Sequence, residues 1–164
     1  MGFEVKTLLL GLLGLLTFAF DRKPYADLIK RWSSLFHIKI KYHHRYSDKF
    51  SVDVVDDILY ISRFNKATHD EREYLYSIAH EFGHLIDYAY VEYYYDEEEL
   101  YDKLTDKHAI YEDEIKAWKI AKILLQQAGE YDSKSFNQLK RKCLKEYQQA
   151  LGLKRRVKKS STTK

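Results

Sequence analysis

The sequence has little of what staples or interrupts a chain. A single cysteine, Cys143, in 164 residues excludes an internal disulfide and a zinc site built from several thiolates, and it fits a reducing compartment. On the predicted last helix Cys143 reads as a small core residue rather than a nucleophile. One proline and six glycines offer few breaks, and with 45% hydrophobic and 32% charged residues the composition is globular. Net charge is only +3, too mild to point to nucleic acid. The positive charge gathers in "KRRVKK" (154–159) and the negative charge in "DEEE" (96–99). There is no internal repeat, and the length suits one domain with a real core.

What is abundant is tyrosine, fifteen in all, many of them between residues 88 and 101. The run "TLLLGLLGLLTFAF" (7–20) is apolar and uncharged, yet shorter than the roughly 20 residues that span a bilayer. It reads as a buried first helix, with a signal-like segment or contact with a membrane or partner surface as alternatives. Glu4 weakens a basic leader, "FAFDRK" lacks a small-residue cleavage site, and Lys6 stands where myristoylation needs Ser or Thr. The expected organisation is an apolar N-terminal segment (1–22), one domain (23–153) and a basic disordered tail (154–164). A cytoplasmic location is expected, with membrane association or export through the apolar segment as the alternative. Oligomeric state is not encoded legibly.

Pro24 suits a helix start, and Leu28, Ile29, Trp32, Leu35 and Phe36 recur at helical spacing. The period then switches to two: "HIKIKYHH" (37–44), "FSVDVV" (50–55) and "ILYISRF" (58–64) predict three strands, the last two joined by a tight turn at Asp56-Asp57. Thr68 and Glu71 have capping-box spacing, and Leu75, Ile78, Ala79, Phe82, Leu85, Ile86 and Ala89 trace an apolar stripe behind them. A further helix is expected over 110–127, with Ile115, Trp118, Ala121, Leu124 and Leu125 inward and Gly129 as its stop. Ser135 and Gln138 open a last helix that turns Phe136, Leu139, Cys143, Tyr147 and Leu151 toward the core and ends at Gly152. The fold class is α+β: a small antiparallel three-stranded sheet packed against several helices in a single domain.

Within the clearest helix lies "IAHEFGHLIDY" (78–88). Residues i and i+4 share a helical face, so His80 and His84 can reach one ion, and their imidazoles suit Zn2+. Glu81 is rotated about 100° from His80, which aims it at water beside the ion rather than at the ion. It is the candidate general base. An ordinary solvated helix face could carry the same residues, but here they avoid the Phe82, Leu85 and Ile86 stripe. Gly83, between the two histidines, costs a helix interior about 1 kcal/mol relative to Ala, which is understandable if something approaches the backbone there.

Catalytic zinc usually takes a third protein ligand. Asp87 and Tyr90 stand where a metzincin needs Gly and His, so that class is excluded. Glu114 is favoured, because Ala117 and Ala121 give its helix a small-residue face for close packing; Glu112 and His108 are the alternatives. Asp87 could orient an imidazole or be a solvated carboxylate. Tyr111 or His108 could donate to an oxyanion.

"SIAHEFGHLID" followed by "EIKAWKIAKILL" resembles the ImmA/IrrE family of zinc metallopeptidases of bacteria, phages and mobile elements, over about residues 38–125. The resemblance implies a gluzincin-like domain with His80, His84 and Glu114 on zinc and Glu81 as base. It also implies a regulatory protein substrate, such as a phage or mobile-element repressor. Trp118 stands where the family often has Asn, so polar support from that position is absent. The expected function is therefore zinc-dependent endoproteolysis of a protein or peptide substrate, with the extended substrate pairing along an exposed strand such as 58–64. The alternative is a non-catalytic zinc-binding interaction module with a basic tail.

Overall fold

A computed structural model describes residues 24–43, 50–62, 64, 70–92 and 105–153. The apolar segment 7–20, Thr68, the acidic run 96–99 and the basic tail, with the expectations attached to them, lie outside these residues. The order is α1 (Pro24–Phe36), β1 (Lys39–Tyr42), β2 (Ser51–Asp53), β3 (Ile58–Ile61), α2 (Glu71–Glu92), α3 (Lys107–Ala128) and α4 (Ser133–Ala150). The α+β class, with one small sheet beside the helices, is as expected. Among the described residues no helix is long and apolar enough to cross a membrane.

The sheet is mixed rather than antiparallel throughout. Its order is β1-β3-β2, with β1 parallel and β2 antiparallel to β3. Burial explains the rearrangement. In β3 Ile58, Leu59 and Ile61 are buried, whereas β1 and β2 contain no buried residue. The most apolar strand takes the centre, where its backbone is paired on both sides. Lys39 and Lys41 are exposed on β1, as befits an edge. An incoming peptide therefore cannot pair with β3 over 58–61, as the sequence suggested, because both of its sides are filled.

The turn between β2 and β3 is longer than the tight one expected. Asp53 Oδ1 accepts from the backbone N–H groups of Val55 and Asp56, and Asp57 takes the left-handed conformation at φ 53° to re-enter the ladder. Helix α1 ends similarly at His37, φ 57°, with Ile38 N–H donating to the Ser33 carbonyl.

Helix α2 is capped by Asp70, whose Oδ1 accepts from the N–H groups of Arg72 and Glu73. Its stripe of Leu75, Ile78, Ala79, Phe82 and Leu85 is buried; Ala89, expected to continue it, is exposed. Phe82 meets Trp32 of α1 edge-on at 5.5 Å between centroids. Asp106 caps α3, which starts at Lys107, three residues earlier than the periodicity suggested, and Gly129 at φ 75° stops it as expected. Asp132, not Ser135, caps α4, accepting from Ser135 N–H. The loop between α3 and α4 is pinned by the Tyr76 hydroxyl, which accepts from Asp132 N–H and donates to the Glu130 carbonyl. That anchor sends α4 back across α2 and α3, where Phe136 packs edge-on against Trp118 at 5.4 Å.

Candidate metal centre

Helices α2 and α3 cross unusually closely. Gly83 faces the backbone of Ala117, and Ala117 and Ala121 are fully buried between the helices. Glu114 lies one turn before Ala117 and is carried to the His80 and His84 face. Nε2 of His80 is 3.1 Å from Glu114 Oε2, Nε2 of His84 is 3.3 Å from Glu114 Oε1, and the two Nε2 atoms are 3.1 Å apart. His80 and Glu114 are buried and His84 is partly so.

The chemistry of this donor set fits a cation. Two imidazole nitrogens and a carboxylate converge, each able to present a lone pair to one ion. Glu114 Oε2 is buried and makes no well-formed hydrogen bond despite its contact with His80. A tetrahedral zinc with ligand bonds of about 2.0–2.1 Å separates its ligand atoms by about 3.3 Å. The nitrogen–nitrogen spacing of 3.1 Å is close to that edge length, and each imidazole meets a different oxygen of the same carboxylate at a similar distance.

Electrostatics point the same way. Burial lowers the pKa of His80, favouring the neutral imidazole that a metal requires. Burial also opposes charge on His84, but contact with Glu114 and the charges of Glu81 and Asp113 outweigh it and raise that pKa. Burial alone would raise the pKa of Glu114; contact with the two imidazoles reverses this and holds it at about 2. Burial pushes Glu81 up to about 7, with His84 opposing and Glu114 adding to the rise.

Of the alternative ligands, Glu112 is exposed and lies about 200° around α3 from Glu114, so it faces away. His108 is exposed in the first turn of α3, about 9 Å along the axis from Glu114. Tyr111 is half-buried one turn before Glu114. Among the described residues neither His108 nor Tyr111 makes a hydrogen bond or ion pair with the triad. Asp87 does not reach His84 either; its Oδ2 lies 3.7 Å from Lys116 Nζ, which also donates to Asp113 at 2.8 Å.

Two aromatic residues depart from the sequence reading. Trp118 lies stacked on His80, with centroids 4.4 Å apart and planes 22° apart, so an aromatic face occupies the place of a polar partner. His80 Nδ1 and Trp118 Nε1 are both buried without a hydrogen bond. Tyr147 of α4, expected in the core, is 40% exposed. Burial, followed by the negative charge of Glu114, raises its pKa. The helical spacing of Phe136, Cys143 and Tyr147 sets the three on one face of α4. Compared with models of known families, with curated proteins and with solved structures, the chain finds no match.

Proposed function

We propose that the chain is a zinc-dependent endopeptidase acting on a protein substrate, of the kind implied by the resemblance to ImmA/IrrE metallopeptidases. The observation that carries this reading is the meeting of the His80, His84 and Glu114 ligand atoms from two helices, with Glu81 beside them. Zinc bound there would polarise the scissile carbonyl and acidify a water molecule. His80, His84 and Glu114 bind and orient, and the closely packed helices fix their geometry. Glu81 accepts the proton of the attacking water at its carboxylate. The tetrahedral adduct then loses its C–N bond, and Glu81 returns the proton to the departing nitrogen. A regulatory protein of a phage or mobile element is the proposed substrate class, on the resemblance alone.

A second reading is a metal-binding interaction module without catalysis. It is favoured by one observation, that His80 Nδ1 has no acceptor to fix its orientation and raise its basicity. The two are separated with zinc-loaded protein and casein as a generic unfolded substrate. The peptidase reading expects chelator-sensitive cleavage, restored by zinc and lost in Glu81→Gln while zinc is retained. General-base loss typically lowers rates by about 10²–10⁴-fold. Zinc-loaded wild type that cleaves neither casein nor a partner captured on Glu81→Gln favours the interaction module.

A further inference from the structure

A histidine that binds a metal through Nε2 carries its ring proton on Nδ1, and that N–H ordinarily donates to an acceptor that fixes the ring's orientation. Among the described residues His80 has no such acceptor: its Nδ1 is buried and makes no hydrogen bond. Rotation about the Cβ–Cγ bond of histidine is soft, so an imidazole without that bond can swing its Nε2 away from a shared ion. What lies against the ring instead is Trp118. The two rings are stacked, with centroids 4.4 Å apart and planes 22° apart, and Trp118 is fully buried. Trp118 follows Glu114 by four residues, so one face of α3 delivers both a ligand and a flat surface for a ligand of the other helix. The indole is itself braced. Phe136 meets it edge-on at 5.4 Å, and Tyr76 in turn meets Phe136 edge-on at 5.5 Å. Trp118 Nε1 is buried without a hydrogen bond, so what the indole offers His80 is its face and not a polar contact.

We infer that Trp118 is a positioning residue whose indole face holds the plane of the His80 ring by stacking, in place of an Nδ1 acceptor, and so keeps Nε2 turned toward Glu114 and His84. The inference rests on the metal-binding part of the proposed function and not on hydrolysis. Stacking fixes the plane of the imidazole but not which of its edges faces the ion. The approach of Nε2 to Glu114 at 3.1 Å and to His84 at 3.1 Å selects that edge. A hydrogen-bonded carboxylate would also raise the basicity of His80, and an indole face does not. The support is therefore geometric, and another aromatic ring at this position should supply most of it.

The test measures zinc affinity by competition titration, the visible bands of bound Co2+ and the melting temperature in wild type, Trp118→Phe, Trp118→Leu and Trp32→Leu. Trp118→Leu should lose about 10–100-fold in zinc affinity, the range that loss of a residue supporting a metal ligand brings. Its Co2+ bands should weaken as the ligand set loosens. Trp118→Phe, which keeps an aromatic face, should stay close to wild type in both. Trp32→Leu removes an equally buried indole that packs on Phe82. It should lower the melting temperature while leaving zinc affinity and the Co2+ bands unchanged. Should Trp118→Leu not fold, Trp118→Met takes its place, with a flexible chain that fills gaps but offers no ring. Wild-type affinity in the folded non-aromatic variant overturns the assignment. So does an equal loss in Trp118→Phe, which would give the effect to the size of the indole, or in Trp32→Leu, which would give it to a loosened core. If wild type itself binds no zinc, the metal reading fails and the role of Trp118 falls with it. If zinc binds as described and casein is not cleaved, only the peptidase reading fails and the stacking role stands.

Discussion

Gly83 and Ala117 set the distance between the two helices of the candidate metal site. A Cβ built on Gly83 would collide with the Ala117 carbonyl oxygen and lie 2.9 Å from the Ala117 Cα, well inside any tolerable contact. The obstacle is backbone, so it cannot be relieved by a side-chain rotation. Glu114 sits one turn along α3 from that crossing, and a helix pushed outward there withdraws the carboxylate from His80 and His84.

Gly83→Ala should therefore destabilise the fold although alanine is the better helix former. Overpacking typically costs about 1–3 kcal/mol, and a fixed carbonyl argues for the upper end. The gain in helix propensity is about 1 kcal/mol, leaving a net loss of about 2 kcal/mol. Chemical denaturation of the zinc-free protein measures it. Zinc affinity should fall as well, and a Gly83→Ala protein of wild-type stability and affinity would refute the close-crossing argument.

The ligand set can be tested residue by residue through metal content and competition titration. His80→Ala, His84→Ala and Glu114→Ala should each reduce zinc affinity by more than the roughly 10–100-fold that loss of a supporting residue brings. Glu112→Ala, on the solvent side of α3, should leave affinity intact and change stability by no more than about 0.5 kcal/mol. Zinc retained at wild-type affinity in both histidine variants would put the ion elsewhere.

Much of this site could be read from the chain because its determinants are local. The i, i+4 histidines and the glycine between them sit on one strongly periodic helix, and the Ala117 and Ala121 face marks where the second helix approaches. Those features favour Glu114 over Glu112 from the sequence alone. What failed to emerge was set by tertiary choices. The three strands have short stretches of similar alternation, and only the competition for burial puts Ile58–Ile61 between the other two. Asp70 and Asp132 take the capping positions because carboxylates two or three residues from the expected hydroxyls cap as well as the hydroxyls do. Phe136 reaches Trp118 because the loop anchored by Tyr76 folds α4 back over the two helices, through hydrogen bonds that span more than fifty residues of sequence.

Alkaline pH should expose the role of Tyr74. Its buried hydroxyl donates to the Ser62 carbonyl at 2.7 Å, and burial, aided by Tyr42, pushes its pKa from 10.0 up to about 12. The fold thus favours the protonated phenol. Its contribution is fully present below the unfolded value near 10 and is lost as pH rises through the folded value near 12. Below pH 10, Tyr74→Phe should be less stable than wild type by about 1 kcal/mol or somewhat more, since a buried carbonyl loses its donor. Between pH 10 and 12 that gap should close. Melting temperatures across this range provide the measurement, and a gap independent of pH would mean that Tyr74 titrates alike in both states.

The stacking of Trp118 on His80 supplies a direct optical reporter of the site. The chain has two tryptophans, and Trp32 lies in the core against Phe82, leaving Trp118 as the one in contact with a proposed ligand. With ring centroids only 4.4 Å apart, an ion on the far nitrogen of His80 sits close enough to perturb the indole strongly. Adding Co2+, which accepts tryptophan excitation, to metal-free Trp32→Phe protein should quench Trp118 emission and saturate at one ion per chain. The same titration on Trp32→Phe with His80→Ala should leave the emission nearly unchanged. Trp118→Phe keeps an aromatic face on His80 and should still bind the ion while losing most of the signal. Quenching that survives His80→Ala would place the ion near Trp118 but off the triad, and an ion that binds stoichiometrically without any quenching would place it away from Trp118 altogether.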